Sequence, residues 1–202
     1  MVYIVGIGPG NPKYIIPLAV ETMEKVDVIV GFQRAVMSIP KTNAKRIIVR
    51  TLKDIMDYIT VNIEEDAAII ASGDPCFYGI TNYIKSNFKG DIEIIPGLSS
   101  FQYLMCKIQK PWQNAYLGSM HGRQEQFIEI VREHEISVWL TDKSNSPQAL
   151  CRKLYENNIK ATIYVGEELS YEDERIIKGT VEEIKDKIFD NLSIVVIENK
   201  ME

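Results

Sequence analysis

Three loops rich in glycine and proline decide the fold of this chain: Gly6-Ile7-Gly8-Pro9-Gly10-Asn11-Pro12, Ser72-Gly73-Asp74-Pro75 and Pro96-Gly97-Leu98-Ser99-Ser100. Each loop directly follows a β-branched run that predicts a strand. The carboxyl ends of parallel strands meet at one edge of an open sheet, and ligands bind in the crevice there. Glycine lets the main chain approach a ligand closely, and proline fixes the loop shape. The three loops together predict a single small-molecule site.

The first half of the chain alternates short β-branched runs with segments of helical period, which is typical of βα units in a mostly parallel sheet. We predict helices over 52–63, 81–88 and 99–108 from the spacing of the apolar residues. The predicted strands cover residues 2–7, 27–30, 46–50, 67–72 and 91–95.

A second set of elements begins after residues 109–114, where the pattern breaks. We therefore predict two α/β domains, residues 1–111 and 112–202. Ser146 before Pro147 predicts a helix start, and Thr180 with Glu183 predicts a capping box. The predicted helices of this half cover 123–134, 146–157 and 181–189, and its strands cover 137–141, 161–165, 175–179 and 193–198.

The composition is that of an ordinary soluble globular protein, with 202 residues of which 46% are hydrophobic and 25% charged. A formal net charge of -5 argues against a nucleic-acid-binding surface. The three cysteines form no CxxC pair and the two histidines cannot supply a three-histidine site, so we expect neither a disulfide framework nor a bound metal. No signal peptide or membrane span is evident, so we expect a cytoplasmic protein that does not bind membranes.

Two nucleotide-binding motifs are disfavoured. Gly6-x-Gly8-x-Gly10 resembles the dinucleotide fingerprint, but its third glycine falls one residue early, and Pro12 and Pro17 delay the following helix. A Walker loop needs a glycine-lysine-serine or glycine-lysine-threonine triplet, and the sequence contains none.

Polar residues in the loops admit two interpretations. Asp74 places a negative charge where a phosphate binder would need amides or lysine, which favours a cationic or hydroxyl-bearing ligand, but Asp74 can equally cap the turn before Pro75. Ser99 and Ser100 are typical N-cap residues, and a helix N-terminus also leaves spare donors for a ligand.

Two residues of the second half are further candidates. His121 is either a proton donor or a surface histidine. Arg123 carries a guanidinium suited to bidentate binding of carboxylates, or it is a solvated surface arginine.

The sequence resembles the tetrapyrrole methyltransferase superfamily in Gly6–Gly10, in the Gly73-Asp74-Pro75-x-x-Tyr78-Gly79 stretch and in Pro96–Ser100. Further segments are similar to the branch of that superfamily that methylates carbon C5 of cobalt-precorrin-7 in anaerobic cobalamin synthesis. These segments are Val30–Arg34, Ser119–Arg123 and Val165–Arg175.

The resemblance implies two α/β domains that hold S-adenosylmethionine in the cleft between them, in a homodimer. It also implies a cobalt-precorrin substrate rich in carboxylates, for which Arg34 and Arg123 are the binding candidates. Tyr78 and His121 are candidates for moving a proton. A separate decarboxylating enzyme that methylates C15 is an expected partner. By position, the resemblance implies cofactor contacts at Pro9, Gly73, Asp74, Ser99 and Ser100, with Met120 and Gly166 as further contacts from the second half.

Other activities stay open at this point. Members of the same superfamily methylate other tetrapyrroles, and a related branch methylates ribosomal RNA on ribose. A non-catalytic ligand-binding module that kept the fold is the alternative from a different class, because fold alone does not establish activity.

Overall fold

The structure is a computed structural model that describes residues 1–120, 126–189 and 193–199. The chain folds as two compact units, Met1–Ser100 and Phe101–Glu202. The helix that begins at Ser100 continues into the second unit. Its Leu104 methyl groups lie beside Gly166 of that unit.

The first unit alternates strands and helices, as predicted. Its strands are β1 (Val2–Gly6), β2 (Val28–Phe32), β3 (Lys45–Val49), β4 (Ala67–Ala71) and β5 (Ile92–Ile95). Its helices are α1 (Pro17–Lys25), α2 (Gln33–Ser38), α3 (Leu52–Val61) and α4 (Thr81–Asn87), with a 3-10 turn at Pro12–Tyr14.

The five strands form one parallel sheet in the order β3-β2-β4-β1-β5. Strand residues alternate between two apolar layers. One layer packs β1, β2 and β4 residues with α3 residues such as Ile55 and Ile59, and the other packs them with α1 and α2 residues such as Met23 and Val36. The expected mostly parallel sheet is confirmed.

The second unit has its own sheet. Its strands are β6 (Tyr116–Ser119), β7 (Ile136–Leu140), β8 (Ala161–Glu167), β9 (Arg175–Thr180) and β10 (Ser193–Asn199). Its helices are α5 (Ser100–Lys107), α6 (Phe127–Glu133), α7 (Pro147–Glu156) and α8 (Val181–Ile184). Among the described residues, no helix combines the length and the apolar character needed to cross a bilayer.

The second sheet has the order β6-β7-β10-β8-β9 and is mixed: β6 and β7 are parallel, and the other neighbours are antiparallel. Its core surrounds the fully buried Trp139. Helix α8 ends at Ile184, earlier than the predicted 189. The chain turns there, and Phe189 packs into the core from outside any helix.

Candidate functional site

The three glycine- and proline-rich loops lie side by side in the structure. They follow β1, β4 and β5, which are neighbours in the order β4-β1-β5 and run parallel. The Gly73 amide donates to the Gly8 carbonyl over 2.7 Å, and the Gly8 amide donates to the Gly73 carbonyl over 3.3 Å. The loops therefore form one continuous main-chain surface at the carboxyl edge of the first sheet, where ligands bind in open α/β sheets.

Glycines make this close approach possible. A Cβ on Gly6 would lie 2.6 Å from the Gly97 nitrogen, and a Cβ on Gly97 would overlap the Gly73 carbonyl oxygen. Gly73 differs, since it has φ +69° and its nearest neighbour to a Cβ would be the Ser99 Cα at 3.8 Å. Gly6 and Gly97 thus serve loop packing, whereas a Cβ at Gly73 would meet the Ser99 Cα only at an ordinary van der Waals distance, so the need for glycine there comes from its positive φ.

The Asp74 carboxylate ties the second and third loops together. Its Oδ1 accepts the Cys76 amide at 2.7 Å, and its Oδ2 accepts the Gly97 amide at 3.1 Å. Both contacts are charge-assisted hydrogen bonds to main chain, which are stronger than neutral ones. The turn-capping hypothesis for Asp74 is confirmed, and the side chain also fixes the spacing of two loops.

The segment after Asp74 is a tight turn. The Thr81 hydroxyl donates to the Pro75 carbonyl at 2.8 Å, and the Thr81 amide donates to the same oxygen at 3.3 Å. Tyr78 has φ +51°, which is uncommon for a bulky residue. The residue is 37% exposed, and its ring meets the Phe77 ring edge-on at 5.0 Å. The turn thus carries an aromatic side chain a few residues after the second loop.

The remaining candidates of the first unit take distinct places. Pro9 is buried between Gly8 and Gly10. Ser99 is buried and directly precedes α5, and Ser100 is the first residue of that helix. Arg34 is exposed on α2, which begins at the carboxyl end of β2. The parallel topology therefore brings all of these residues to the loop edge of the sheet.

Met120 and Gly166 share an edge of the second sheet. Ser119, Leu140, Ile194 and Gly166 pair in one row across β6, β7, β10 and β8. Met120 follows this row directly, is buried, and donates its amide to the Leu140 carbonyl at 2.9 Å. The two predicted residues thus lie at the carboxyl edge of the same sheet.

Packing within the unit accounts for the lack of a side chain at Gly166. A Cβ there would lie 2.8 Å from a methyl group of Leu169 and 3.0 Å from one of Leu104. The glycine lets α5 and the segment after β8 close over the strand. In the sheet, Gly166 lies opposite Ile194 of β10 and Ile176 of β9.

Two predicted residues, His121 and Arg123, lie outside the described residues. Across residues 1–120, 126–189 and 193–199, no group of three histidine, cysteine or acidic side chains is placed to hold a metal ion.

Sequence reasoning missed one polar contact at the edge of the second sheet. The Thr141 hydroxyl, directly after β7, donates to the Ser193 carbonyl at 2.7 Å and contacts the Ser193 hydroxyl at 3.0 Å. Both residues are buried. The sequence signal was a hydroxyl residue at the end of one predicted strand and another at the start of a distant strand. Only the order of the strands in the sheet shows that these two residues are neighbours.

Comparisons with known proteins agree with this architecture. Residues 1–185 match the family model described as Tetrapyrrole (Corrin/Porphyrin) Methylases. A probable cobalt-precorrin-7 C(5)-methyltransferase of Methanocaldococcus jannaschii is 31% identical, and the alignment covers 100% of each chain.

Two solved structures are similar in fold. The precorrin-6Y methylase of Archaeoglobus fulgidus matches with a TM-score of 0.81 at 21% identity, over 100% of this chain and 98% of that one. A uroporphyrin-III C-methyltransferase from Thermus thermophilus, complexed with S-adenosyl homocysteine, matches with a TM-score of 0.77 at 16% identity, over 97% and 91%. The full-length relative and the family match together establish that this chain belongs to the tetrapyrrole (corrin/porphyrin) methylase family.

Proposed function

We propose that this chain is a methyltransferase that moves a methyl group from S-adenosylmethionine to carbon C5 of a cobalt-precorrin, cobalt-precorrin-7, in cobalamin biosynthesis. The observation that carries the proposal is the continuous main-chain surface made by the loops after β1, β4 and β5. The full-length relative supports the choice of reaction, because its name is that of a cobalt-precorrin-7 C(5)-methyltransferase.

The residues at the loop edge suit this methyl donor. Gly73 presents main chain without a side chain at this edge, which suits close contact with a ligand. Asp74 adds a negative charge to the loop edge, which favours a cationic ligand such as a sulfonium compound, while its oxygens hold the loops. We assign donor binding to Pro9, Gly73, Asp74, Ser99 and Ser100, and also to Met120 and Gly166.

Methyl transfer needs little acid or base catalysis from the protein. When bound, S-adenosylmethionine supplies an electrophilic methyl group on a sulfonium centre. The loops are fixed by the Gly8–Gly73 and Asp74–Gly97 hydrogen bonds, so they can hold a donor in one orientation toward an attacking carbon. Such positioning can supply about 7–11 kcal/mol of a reaction barrier. Tyr78 is a candidate for moving the proton that leaves the methylated carbon.

Substrate recognition would use arginines. A precorrin carries many carboxylates, and arginine binds carboxylates in a bidentate manner. Arg34, exposed at the carboxyl end of β2, is one candidate, and Arg123 is the other. We further propose a cytoplasmic homodimer whose product passes to a separate C15-methylating decarboxylase.

Methyl transfer can be tested directly. The purified protein, incubated with cobalt-precorrin-7 and S-adenosylmethionine, should add the mass of one methyl group to the corrin, and S-adenosylhomocysteine should accumulate in equal amount. Arg34→Ala should raise KM for the corrin with little change in kcat, because it removes uniform binding. Methylation of an earlier tetrapyrrole or of a 16S RNA fragment, with none of the cobalt-precorrin, would refute the proposal.

A further inference from the structure

The segment between β8 and β9 adopts a strained backbone. Glu167 and Arg175 pair across the two strands, so residues 168–174 form the connecting loop. Within this loop Glu168 has φ +43° and Ser170 has φ +71°, although neither is glycine. A left-handed conformation costs a residue with a side chain about 1–2 kcal/mol. Such a loop keeps its shape only where surrounding contacts impose it.

The base of this loop is held by an ion pair. The Arg175 guanidinium contacts the Glu167 carboxylate at 2.5 Å, and Glu167 is only 2% exposed. This contact fixes the two strand ends but reaches none of the residues with positive φ. The tip of the loop therefore needs a separate restraint.

Glu174 supplies that restraint. Its Oε2 accepts the amide of Ser170 at 2.7 Å, and its Oε1 lies 3.1 Å from the Lys107 ammonium. Tyr103, one turn before Lys107 on α5, also hydrogen bonds to the Glu174 carboxylate. The carboxylate thus joins the strained Ser170 backbone to one face of α5.

The electrostatics show that these contacts favour the charged carboxylate. Partial burial would raise the pKa of Glu174, but the hydrogen bonds from Tyr103, the Ser170 amide and Lys107 outweigh it and lower that pKa. The bonds to Tyr103 and then Glu174 raise the pKa of Lys107 to about 12. Tyr103 and Lys107 are four residues apart on α5, so their side chains lie on the same helix face.

The loop shape also determines what lies beside Gly166. Leu169 is buried between the two residues with positive φ, and its methyl group occupies the space that a side chain at Gly166 would need. Leu104, from the same helix as Tyr103 and Lys107, covers the other side of that position. Release of Ser170 from Glu174 would therefore free Leu169 and change the surface next to Gly166.

We propose that Glu174 is a positioning residue that clamps the 168–174 loop to α5 and thereby holds the main chain beside Gly166 in the shape that binds the methyl donor. The inference rests on the proposed function, because Gly166 is there assigned to donor binding. Glu174 itself touches no reacting atom. Its effect passes through Ser170 and Leu169.

The chain offers a matched control. Glu198 makes a similar trio, in which its carboxylate contacts the Lys110 ammonium at 2.5 Å and accepts the Tyr164 hydroxyl at 3.2 Å. Its described contacts include no amide of the β8–β9 loop. Glu198→Gln therefore removes a comparable charged trio without releasing that loop.

The test combines amide hydrogen exchange with calorimetric titration of S-adenosylhomocysteine on the full chain. In Glu174→Ala, the Ser170 amide should exchange about tenfold faster, since local opening sets its protection. The Kd should rise about threefold to tenfold, because the loop must then be ordered on binding. Glu174→Gln keeps an acceptor for Ser170 and should fall between wild type and Glu174→Ala. Glu198→Gln should lower Tm but leave both readouts unchanged.

Each possible result either supports or overturns the clamp or its link to donor binding. Unchanged exchange at Ser170 in Glu174→Ala would overturn the clamp, and faster exchange with an unchanged Kd would overturn its link to the donor. An equal rise in Kd in Glu198→Gln would reduce the effect to general destabilisation and also overturn the proposal. Failure of the wild type to bind S-adenosylhomocysteine would overturn the proposed function and the donor role together. The hydrogen-exchange result would still test the clamp, because that measurement needs no ligand.

Discussion

At the scale of single residues, Asp74 combines the turn capping expected from the sequence with a contact to a second loop. Its carboxylate caps the turn at Cys76 and crosses to the Gly97 amide of the neighbouring loop. Any donor contact by this side chain would therefore come from oxygens already oriented by main-chain amides. A residue fixed in this way loses little conformational entropy when a ligand binds.

Asp74→Ala should destabilise the first unit and weaken donor binding together. The loss of hydrogen bonds to a charged group predicts a fall of about 1.5–3 kcal/mol in the free energy of unfolding. Asp74→Asn keeps one acceptor and should lose less. Denaturant unfolding and calorimetry with S-adenosylhomocysteine measure the two effects, and wild-type affinity in Asp74→Ala would contradict this role.

Gly97→Ala tests whether donor binding depends on the close packing of the second and third loops. The added methyl group would overlap the Gly73 carbonyl, so the third loop must move away from the second. We expect a loss of about 1–3 kcal/mol in stability, as for overpacked sites, and a donor Kd at least about tenfold weaker. Gly90→Ala is the control, since its methyl group would meet the Phe88 ring at 2.7 Å, away from the three loops. An equal loss of affinity in both variants would refute the packing argument.

The residue types and order of the loops were predictable from sequence, because glycine and proline clusters that follow β-branched runs are typical of loops at strand ends. The close packing of Gly6 on Gly97 was not, since it depends on β1 and β5 being neighbours. The clamp at Glu174 was equally hidden. Nothing in the local sequence relates it to Tyr103 and Lys107 on a distant helix.

At the scale of elements, helices α3 to α8 were predicted from the sequence, and helices α1 and α2 were not. Thr180 with Glu183 forms the expected capping box of α8, and α3 has a similar box made by Thr51 and Asp54. Helices α1 and α2 begin without a side-chain cap hydrogen bond. The sequence therefore carries no start signal for α2, and the proline that opens α1 indicates only that this helix begins late.

Among the described residues, Trp139 on β7 is the largest fully buried side chain. It is fully buried, its Nε1 donates to the Ser137 hydroxyl at 2.9 Å, and its ring meets Phe127 edge-on at 4.9 Å. Trp139→Ala should lower the free energy of unfolding by about 3–5 kcal/mol because of the cavity it leaves. Trp139→Phe should lose less, mainly through the unpaired Ser137 hydroxyl. Equal stability of the two variants in denaturant unfolding would contradict this assignment.

At the scale of the whole molecule, two carboxylates tie stability to pH. Partial burial raises the pKa of Glu198 and of Glu174. The hydrogen bond and positive charge of Lys110 at Glu198, and those of Lys107 at Glu174, act in the opposite direction together with other hydrogen bonds to each carboxylate. The net result is that both pKa values lie below the ordinary value of 4.5. In the acid range the unfolded chain then binds more protons than the folded one, so stability rises with pH.

The chain should accordingly lose stability as the pH falls from about 4.5 through the lower pKa values of the folded state. Above that range the contribution of both carboxylates is fully present. Tm measured from pH 7 to pH 3 should decline below this point in the wild type and decline less in the Glu174→Gln, Glu198→Gln double variant. Parallel curves for the two proteins would show that other groups govern the acid transition.

We propose above all that the loops after β1, β4 and β5 form the methyl-donor site. The decisive measurement is a crystal structure of the protein grown with S-adenosylhomocysteine. We expect the ligand to lie against Pro9, Gly73 and Ser99 at the carboxyl edge of the first sheet. The ligand in the cavity of about 260 Å³ at the opposite edge, lined by Val2, Ile59 and Phe88, with the loop edge empty, would contradict it.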